Sequence, residues 1–177
     1  NIALPTNDLP PFLTGHPVGL LLRGNKKTFG HLDWEQRYNY PDYGASIVYQ
    51  DLKNDVLGES FGLYAHYNFY FFKRHITLRI AQGLAYNTNP YDKIDNPKNV
   101  AFGTSVLSAT YLMLNYKKEQ LFNRIGFQAG LSLFHYSNAN IKAPNTSVNT
   151  IALSLGLTYN LNDENPGSVS YTHLRAH

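Results

Sequence analysis

Large apolar side chains alternate with small or polar ones along most of the chain. Between 60 and 73, Phe61, Leu63, Ala65, Tyr67, Phe69 and Phe71 share one face, and Gly62, Tyr64, His66, Asn68 and Tyr70 the other. The same alternation sets Ile76, Leu78, Ile80, Leu84 and Tyr86 against Thr77, Arg79, Ala81, Gly83 and Ala85. It sets Ile125, Phe127, Ala129, Leu131 and Leu133 against Arg124, Gly126, Gln128, Gly130 and Ser132, and Ile151, Leu153, Leu155, Leu157 and Tyr159 against Ala152, Ser154, Gly156, Thr158 and Asn160. A period of two is the signature of strands with chemically distinct faces, and no stretch sustains a period of 3.6. The pattern predicts eight strands, near 16–24, 28–39, 43–52, 60–73, 76–88, 101–117, 120–137 and 147–161. Turn signals separate them at Gly24-Asn25, Pro41-Asp42, Asn54-Asp55, Lys73-Arg74, the 89–99 loop, Lys118-Glu119 and Ala143-Pro144-Asn145. Residues 1–15, with Pro5, Pro10 and Pro11, read as an irregular leading segment.

Two architectures use such strands. A soluble barrel or sandwich turns the large apolar face inward and solvates the other. A membrane barrel turns it outward into lipid. The second face decides: it is rich in Gly, Ser, Thr and Gln and poor in Lys and Glu, whereas a soluble outer surface is densely charged. Compact and paired polar groups are what the interior of a small barrel holds. In lipid every backbone group needs a partner, so the strands must close on themselves. The fold class expected is therefore all-β, an eight-stranded antiparallel up-and-down transmembrane β-barrel over 16–161.

Composition narrows the function classes. Of 177 residues, 43% are apolar and 15% charged, against about 25% charged in an ordinary soluble domain, which excludes a disordered, coiled-coil or strongly nucleic-acid-binding chain. A net charge of +3 does not argue for a polyanion partner, and no apolar run reaches the length of a transmembrane helix. Without cysteine there is no disulfide, CxxC or thiolate zinc site. The 14 Tyr and 10 Phe suit strands and the aromatic girdles of membrane barrels. The run from Val169 to His177 reads as a translated sequencing adapter and is set aside from the fold, leaving 162–168 as a stub. Asn1-Ile2-Ala3 carries neither an initiator Met nor a signal segment, as expected of a processed chain or of one that begins mid-gene.

The densest chemistry is His135-Tyr136-Ser137-Asn138-Ala139, followed by Pro144-Asn145 and Asn149. His135 and Ser137 are two apart at a strand end and point the same way, with Cα atoms roughly 6.5 Å apart. An imidazole base beside a hydroxyl nucleophile needs a third group to orient the ring. Counted back through Leu133, Leu131 and Phe127, the pair lies on the apolar face, and Asn149 has the parity of Ile151 and Leu153. Polar groups there serve either as a hydrated headgroup boundary or as a site for a lipid. Elsewhere, His66 has the parity of an interior hydrogen bonder. His31, Asp33 and Glu35 beside Trp34 fit a rim better than a metal site, and Lys26-Lys27, Lys73-Arg74 and Lys117-Lys118 fit turn charges or contacts to lipid phosphates.

The His-x-Ser-Asn core with its trailing Pro-Asn resembles the signature of the outer-membrane lipid A 3-O-deacylases, the PagL-type acyloxyacyl hydrolases. Trp34, Tyr40-Pro41, Gly44, Asn54, Leu57-Gly58, Gly83-Leu84-Ala85-Tyr86, Asn96-Pro97 and Asn99 resemble more loosely a branch found in Bacteroidetes-like bacteria. The resemblance covers roughly residues 17 to 161. It implies a serine esterase in the outer membrane of a Gram-negative bacterium, releasing an acyl chain from lipid A without a cofactor or metal. It implies Ser137 as nucleophile and His135 as general base, with Asn138 and the backbone near Ala139 and Asn140 as oxyanion donors and Asn145 as a loop brace. The family's third member, a Glu, falls on Asn149 here. The partners implied are lipopolysaccharide and outer-membrane lipids, with a homodimer open and no nucleic acid. Two rivals remain at this stage. One is a non-catalytic lipid-binding or adhesive barrel, for which Asn149 speaks. The other is a soluble lipocalin-like carrier, which requires Phe61, Phe69, Phe127 and Leu153 to face inward.

Overall fold

Alternating strands with a turn signal between each pair fold most simply as a meander, and a computed structural model, which describes residues 2–4 and 16–161, shows one. Its elements are β1 Ile2–Leu4, β2 Val18–Lys26, α1 Asp33–Arg37, β3 Asp42–Asp51, β4 Glu59–Phe71, β5 Ile76–Asn87, β6 Val106–Phe122, β7 Ile125–Ser137 and β8 Val148–Tyr159. From β2 to β8 each strand pairs antiparallel with its neighbour in sequence, and β1 adds a short ladder to β8. Within the segment read as irregular, then, Ile2–Leu4 is strand; the rest of 1–15, and 162–177, lie outside the described residues. The seven long strands curl into an open half-barrel. Side chains from non-adjacent strands meet inside it: Arg23 of β2 donates to Gln128 Oε1 of β7 at 2.5 Å, and Tyr136 of β7 donates to Gln50 Oε1 of β3 at 2.8 Å. No described helix is long and apolar enough to cross a membrane.

Two expected elements are corrected. The strand near 28–39 does not form. Glu35 Oε2 instead accepts the backbone N–H groups of Gly30 and His31, each at 2.8 Å, and α1 follows. Those donors are satisfied locally and are lost to any ladder. Asn39 and Tyr40, both with left-handed φ, then turn the chain into β3. Glu35 is thereby a buried loop brace, and among the described residues no group of three His, Cys, Asp or Glu could hold a metal. The turn expected at Lys118-Glu119 lies later, at Asn123-Arg124. β6 runs on to Phe122 through a register shift, with Lys117 Nζ paired to Glu119 at 2.7 Å. Lys117 and Arg74 are not free turn charges: Arg74 bonds Asp42 at 3.2 Å and lies over the Tyr70 ring.

The faces follow the alternation. Leu63, Leu84, Leu153 and Leu155 stand on the outer wall, with Leu63 63% exposed and Leu155 79% exposed. Tyr64, His66, Asn68, Arg79, Tyr111 and Tyr136 are buried on the inner side. Phe61 and Leu153 are exposed, and Phe69 and Phe127 share their outward parity, which overturns the soluble-carrier reading. The interior is a polar network. Tyr111 and Ser46 bond at 2.7 Å, Ser46 and His66 Nδ1 at 3.2 Å, and His66 Nε2 donates to Asn25 Oδ1 at 2.7 Å. Arg79 donates to Asn68 Oδ1 at 2.6 Å. Strands β4 and β7, at 13 residues, exceed the roughly 9–11 that a tilted strand needs to cross hydrocarbon. Loops 52–58, 88–105 and 138–147 all emerge at one end of the sheet, and 27–41, 72–75 and 123–124 at the other.

Candidate active site

The site stands where β7 and β8 leave the sheet. Their register places His135 directly opposite Asn149, both half-buried on the outer wall. His135 Nδ1 donates to Asn149 Oδ1 at 2.8 Å. That bond fixes the tautomer: the proton sits on Nδ1, and Nε2 keeps its lone pair for accepting a proton. Ser137 follows on the same face, one pleat nearer the loops.

Loop 138–147 holds Ser137 from the far side. Ser137 Oγ donates to Asn145 Oδ1 at 3.2 Å and accepts from Asn145 Nδ2 at 3.1 Å and from the Ala139 N–H at 3.1 Å. In this resting arrangement the hydroxyl proton points to Asn145, not to His135. Asn145 Oδ1 also takes the Asn138 N–H at 2.9 Å, and Asn145 Nδ2 reaches Asn140 Oδ1 at 3.0 Å. The Asn138 side chain is buried and turned into the loop, where its amide donates to the carbonyls of Lys142 and Pro144. Its Oδ1 takes the Asn140 N–H at 3.1 Å. Of the residues singled out in the sequence, Ala139 and Asn145 thus meet Ser137 directly, whereas Asn138 and Asn140 shape the loop around it. Ala139 and Asn140 have φ of 55° and 59°, a left-handed pair that non-glycine residues adopt at an energetic cost and that swings the Ala139 N–H onto Ser137.

The loop is itself held by its neighbours. Thr146 bonds the Val100 carbonyl through its N–H at 3.2 Å and its hydroxyl at 3.1 Å. A side chain on Gly103 would run into the Lys142 carbonyl, so the two loops can approach this closely only with glycine there. Asn99 Oδ1 takes the N–H groups of Ala101 and Phe102, each at 3.0 Å, while the Asn96 and Asn99 amides reach the Val56 carbonyl at 2.9 and 3.2 Å. Asn96 and Asn99 therefore knit loops 52–58 and 88–105 into one platform under the third loop, and Asn54 braces loop 52–58 by accepting the Val56 and Leu57 N–H groups.

Beside the site lie three residues to which the alternation gave no signal. Thr110 is opposite His135, Gln82 opposite Thr110, and Ser108 opposite Ser137. Thr110 donates to Gln82 Oε1 at 2.6 Å, and Gln82 Nε2 donates to Ser108 Oγ at 3.2 Å. Only the cross-strand register brings them to the site.

An apolar outer wall over a polar interior is the pattern that the walls of membrane barrels share, and Ser137, His135 and Asn149 on it make a candidate site for hydrolysing a lipid ester. A family model described as lipid A 3-O-deacylase (PagL) matches residues 19–158. The chain belongs to this family of outer-membrane lipid A deacylases. Neither a curated protein nor a solved structure matches it.

Proposed function

We propose that this chain closes as an eight-stranded barrel in the outer membrane of a Gram-negative bacterium and works there as a serine esterase on lipid A. One observation carries the reading: the His135–Asn149 bond leaves Nε2 as a proton acceptor on the lipid-facing wall, one pleat from Ser137. The Ser137 end carries loops 52–58, 88–105 and 138–147, whereas the other end has the tight turns 72–75 and 123–124 beside one long loop, 27–41; that bias suits the outer surface, since membrane barrels keep shorter turns on the inner side. That orientation sets the site at the outer-leaflet headgroups.

In the reaction, Ser137 Oγ exchanges Asn145 Oδ1 for His135 Nε2 and attacks the ester carbonyl as its proton passes to that nitrogen. The carbonyl oxygen becomes an oxyanion and takes hydrogen bonds from the Ala139 N–H and Asn145 Nδ2, the two donors that already reach Ser137. The tetrahedral intermediate collapses, the bond between the acyl carbon and the sugar oxygen breaks, and the departing alcohol takes the proton from His135. Water, deprotonated by the same imidazole, then hydrolyses the acyl-serine. Asn149 holds the ring in place throughout and supplies no charge.

The test is to express the protein, with a leader for outer-membrane export, in a host of known lipid A structure, beside Ser137→Ala. The expected result is lipid A lacking one ester-linked acyl chain with the first and intact lipid A with the second. Intact lipid A with both, from folded barrels, would favour the non-catalytic barrel.

A further inference from the structure

On the inner side of the sheet the cations outnumber the carboxylates that could pair with them. Asp42 takes Arg74 at 3.2 Å and the Tyr70 hydroxyl at 2.6 Å, and Lys117 has Glu119. Glu35 is occupied by two backbone N–H groups. Arg23 and Arg79 remain. Among the described residues no carboxylate bonds either one, and their hydrogen bonds go to neutral amides. Arg79 is 3% exposed; its Nε donates to Asn68 Oδ1, while its Nη1 is buried with no partner among the described residues. Arg23 reaches from β2 across to Gln128 of β7 with one nitrogen of its fork.

Both arginines line one cavity of about 1710 Å³. Thr77 and Ser132 line it too, and their hydroxyls are likewise buried without partners among the described residues. The register explains the grouping. Arg79, Met113 and Ser132 stand in one row, and Thr77 lies two residues before Arg79 on the same inner face of β5. The cavity extends to the end of the sheet that carries loop 27–41, where Lys26 and Lys27 also line it. A guanidinium keeps its charge inside a protein, and a buried charge is costly unless it is paired. Arg23 and Arg79 together bring two formal positive charges, N–H groups in a planar fork and two hydroxyls beside them. A divalent oxyanion matches that set: its oxygens accept from the fork in pairs and from the hydroxyls singly, and its charge balances both arginines. A monovalent ion leaves one guanidinium uncompensated.

We propose that Arg23, Arg79, Thr77 and Ser132 form a binding site for a small divalent oxyanion of the phosphate or sulfate type, on the inner side of the sheet and apart from Ser137. The ion enters from the 27–41 end, past Lys26 and Lys27, opposite the loops around Ser137. Once bound it ties β2, β5 and β7 together through one ligand and stabilises the folded chain by mass action. The site uses none of the residues of the proposed hydrolysis, so neither reading depends on the other.

The experiment titrates sodium phosphate into the refolded protein in maltoside micelles and follows the heat of binding, with ionic strength held constant by sodium gluconate. The expected result is saturation at one phosphate per chain, with sulfate competing. Arg79→Gln is expected to weaken binding by about tenfold or more, the scale of one hydrogen bond to a charged group, and Arg23→Gln to act in the same direction. Folding is checked by the heat-dependent gel shift of a barrel. If either arginine variant fails to fold, Thr77→Val/Ser132→Ala replaces it; this variant keeps both charges, removes both hydroxyls and is expected to bind about fivefold more weakly. Ser137→Ala and Asn145→Ala are expected to bind as the wild type does. No saturable heat, unchanged affinity in the folded variants, or chloride bound as tightly as phosphate would overturn the site. Loss of binding in Asn145→Ala but not in Arg79→Gln would place the ion at the donors beside Ser137 and overturn it equally.

Discussion

Replacing Asn149 by Asp changes one atom in the site and should raise its rate. The side chains have the same shape, so the carboxylate would take the Nδ1–H of His135 where Asn149 Oδ1 now does, at 2.8 Å. In a serine protease, changing the triad acid to its amide slows catalysis about 10⁴-fold because the amide stabilises the wrong tautomer. Here the amide oxygen already selects the useful tautomer, so only the charge is missing. A carboxylate about 4 Å from the imidazolium of the transition state is worth about 4 kcal/mol at an effective dielectric of 20 and about 1 kcal/mol in water. As general base the ring becomes charged only when it takes the Ser137 proton, so the interaction acts mainly on the transition state. For a half-buried pair the two limits bracket a rise in kcat/KM of between about 5-fold and about 10³-fold. The assay is the initial rate of acyl release from lipid A in mixed micelles, with Asn149→Asp measured alone and combined with His135→Ala. No rise in the folded single variant, or an equal rise without His135, would refute the argument that His135 is the base and lacks only a charged partner.

Four further outcomes follow from the same geometry. Asn145→Ala removes a donor beside Ser137 and should lower kcat by about 10²–10³-fold with little change in KM, measured on the same substrate. Leu153→Arg, on the outer wall, should cost about 2–4 kcal/mol in urea unfolding from lipid vesicles, the penalty for a cation near the membrane midplane. His66→Leu removes one of two partners from Ser46, which keeps Tyr111, and one from Asn25, which keeps Asn68, and should cost about 0.5–1.5 kcal/mol in the same unfolding assay, without abolishing activity. In loop 88–105, the N–H groups of Asp95 and Ile94 hold the Asp92 carboxyl below its usual range. A depressed folded pKa stabilises the loop above the ordinary carboxyl value, near 3.9, and the effect is lost as pH falls through the folded value. Protection of the loop amides, taken against the intrinsic exchange rate at each pH, should therefore hold down to about pH 4 and fall only below it.

Much of the wall was legible because its two faces differ chemically at every second residue, so the alternation through β4, β5, β7 and β8 fixed which side chains point outward. It failed where the backbone is satisfied locally. Five residues of α1 are too few to show a 3.6 period, and nothing in the spacing of Glu35 announces that its carboxylate will bind the Gly30 and His31 N–H groups. Ala101 and Phe102 read as the start of a strand because they are apolar, yet both are buried in a loop held by Asn99. In the site, parity alone put His135, Ser137 and Asn149 on one face. It could not show that Ser137 rests on Asn145, since that contact depends on how loop 138–147 closes over the Asn138 amide. Nor could it reveal Gln82, Ser108 and Thr110, which are distant in sequence and become neighbours of the site only through the register of β5, β6 and β7.

The most direct test of the account is the mass of purified lipid A after incubation with the protein refolded in vesicles, beside Ser137→Ala and His135→Ala. The account predicts a species lighter by one ester-linked acyl chain, released as a free fatty acid, with the wild type and with neither variant. The same loss with Ser137→Ala would contradict it, as would lipid A unchanged by a wild-type protein shown to be folded.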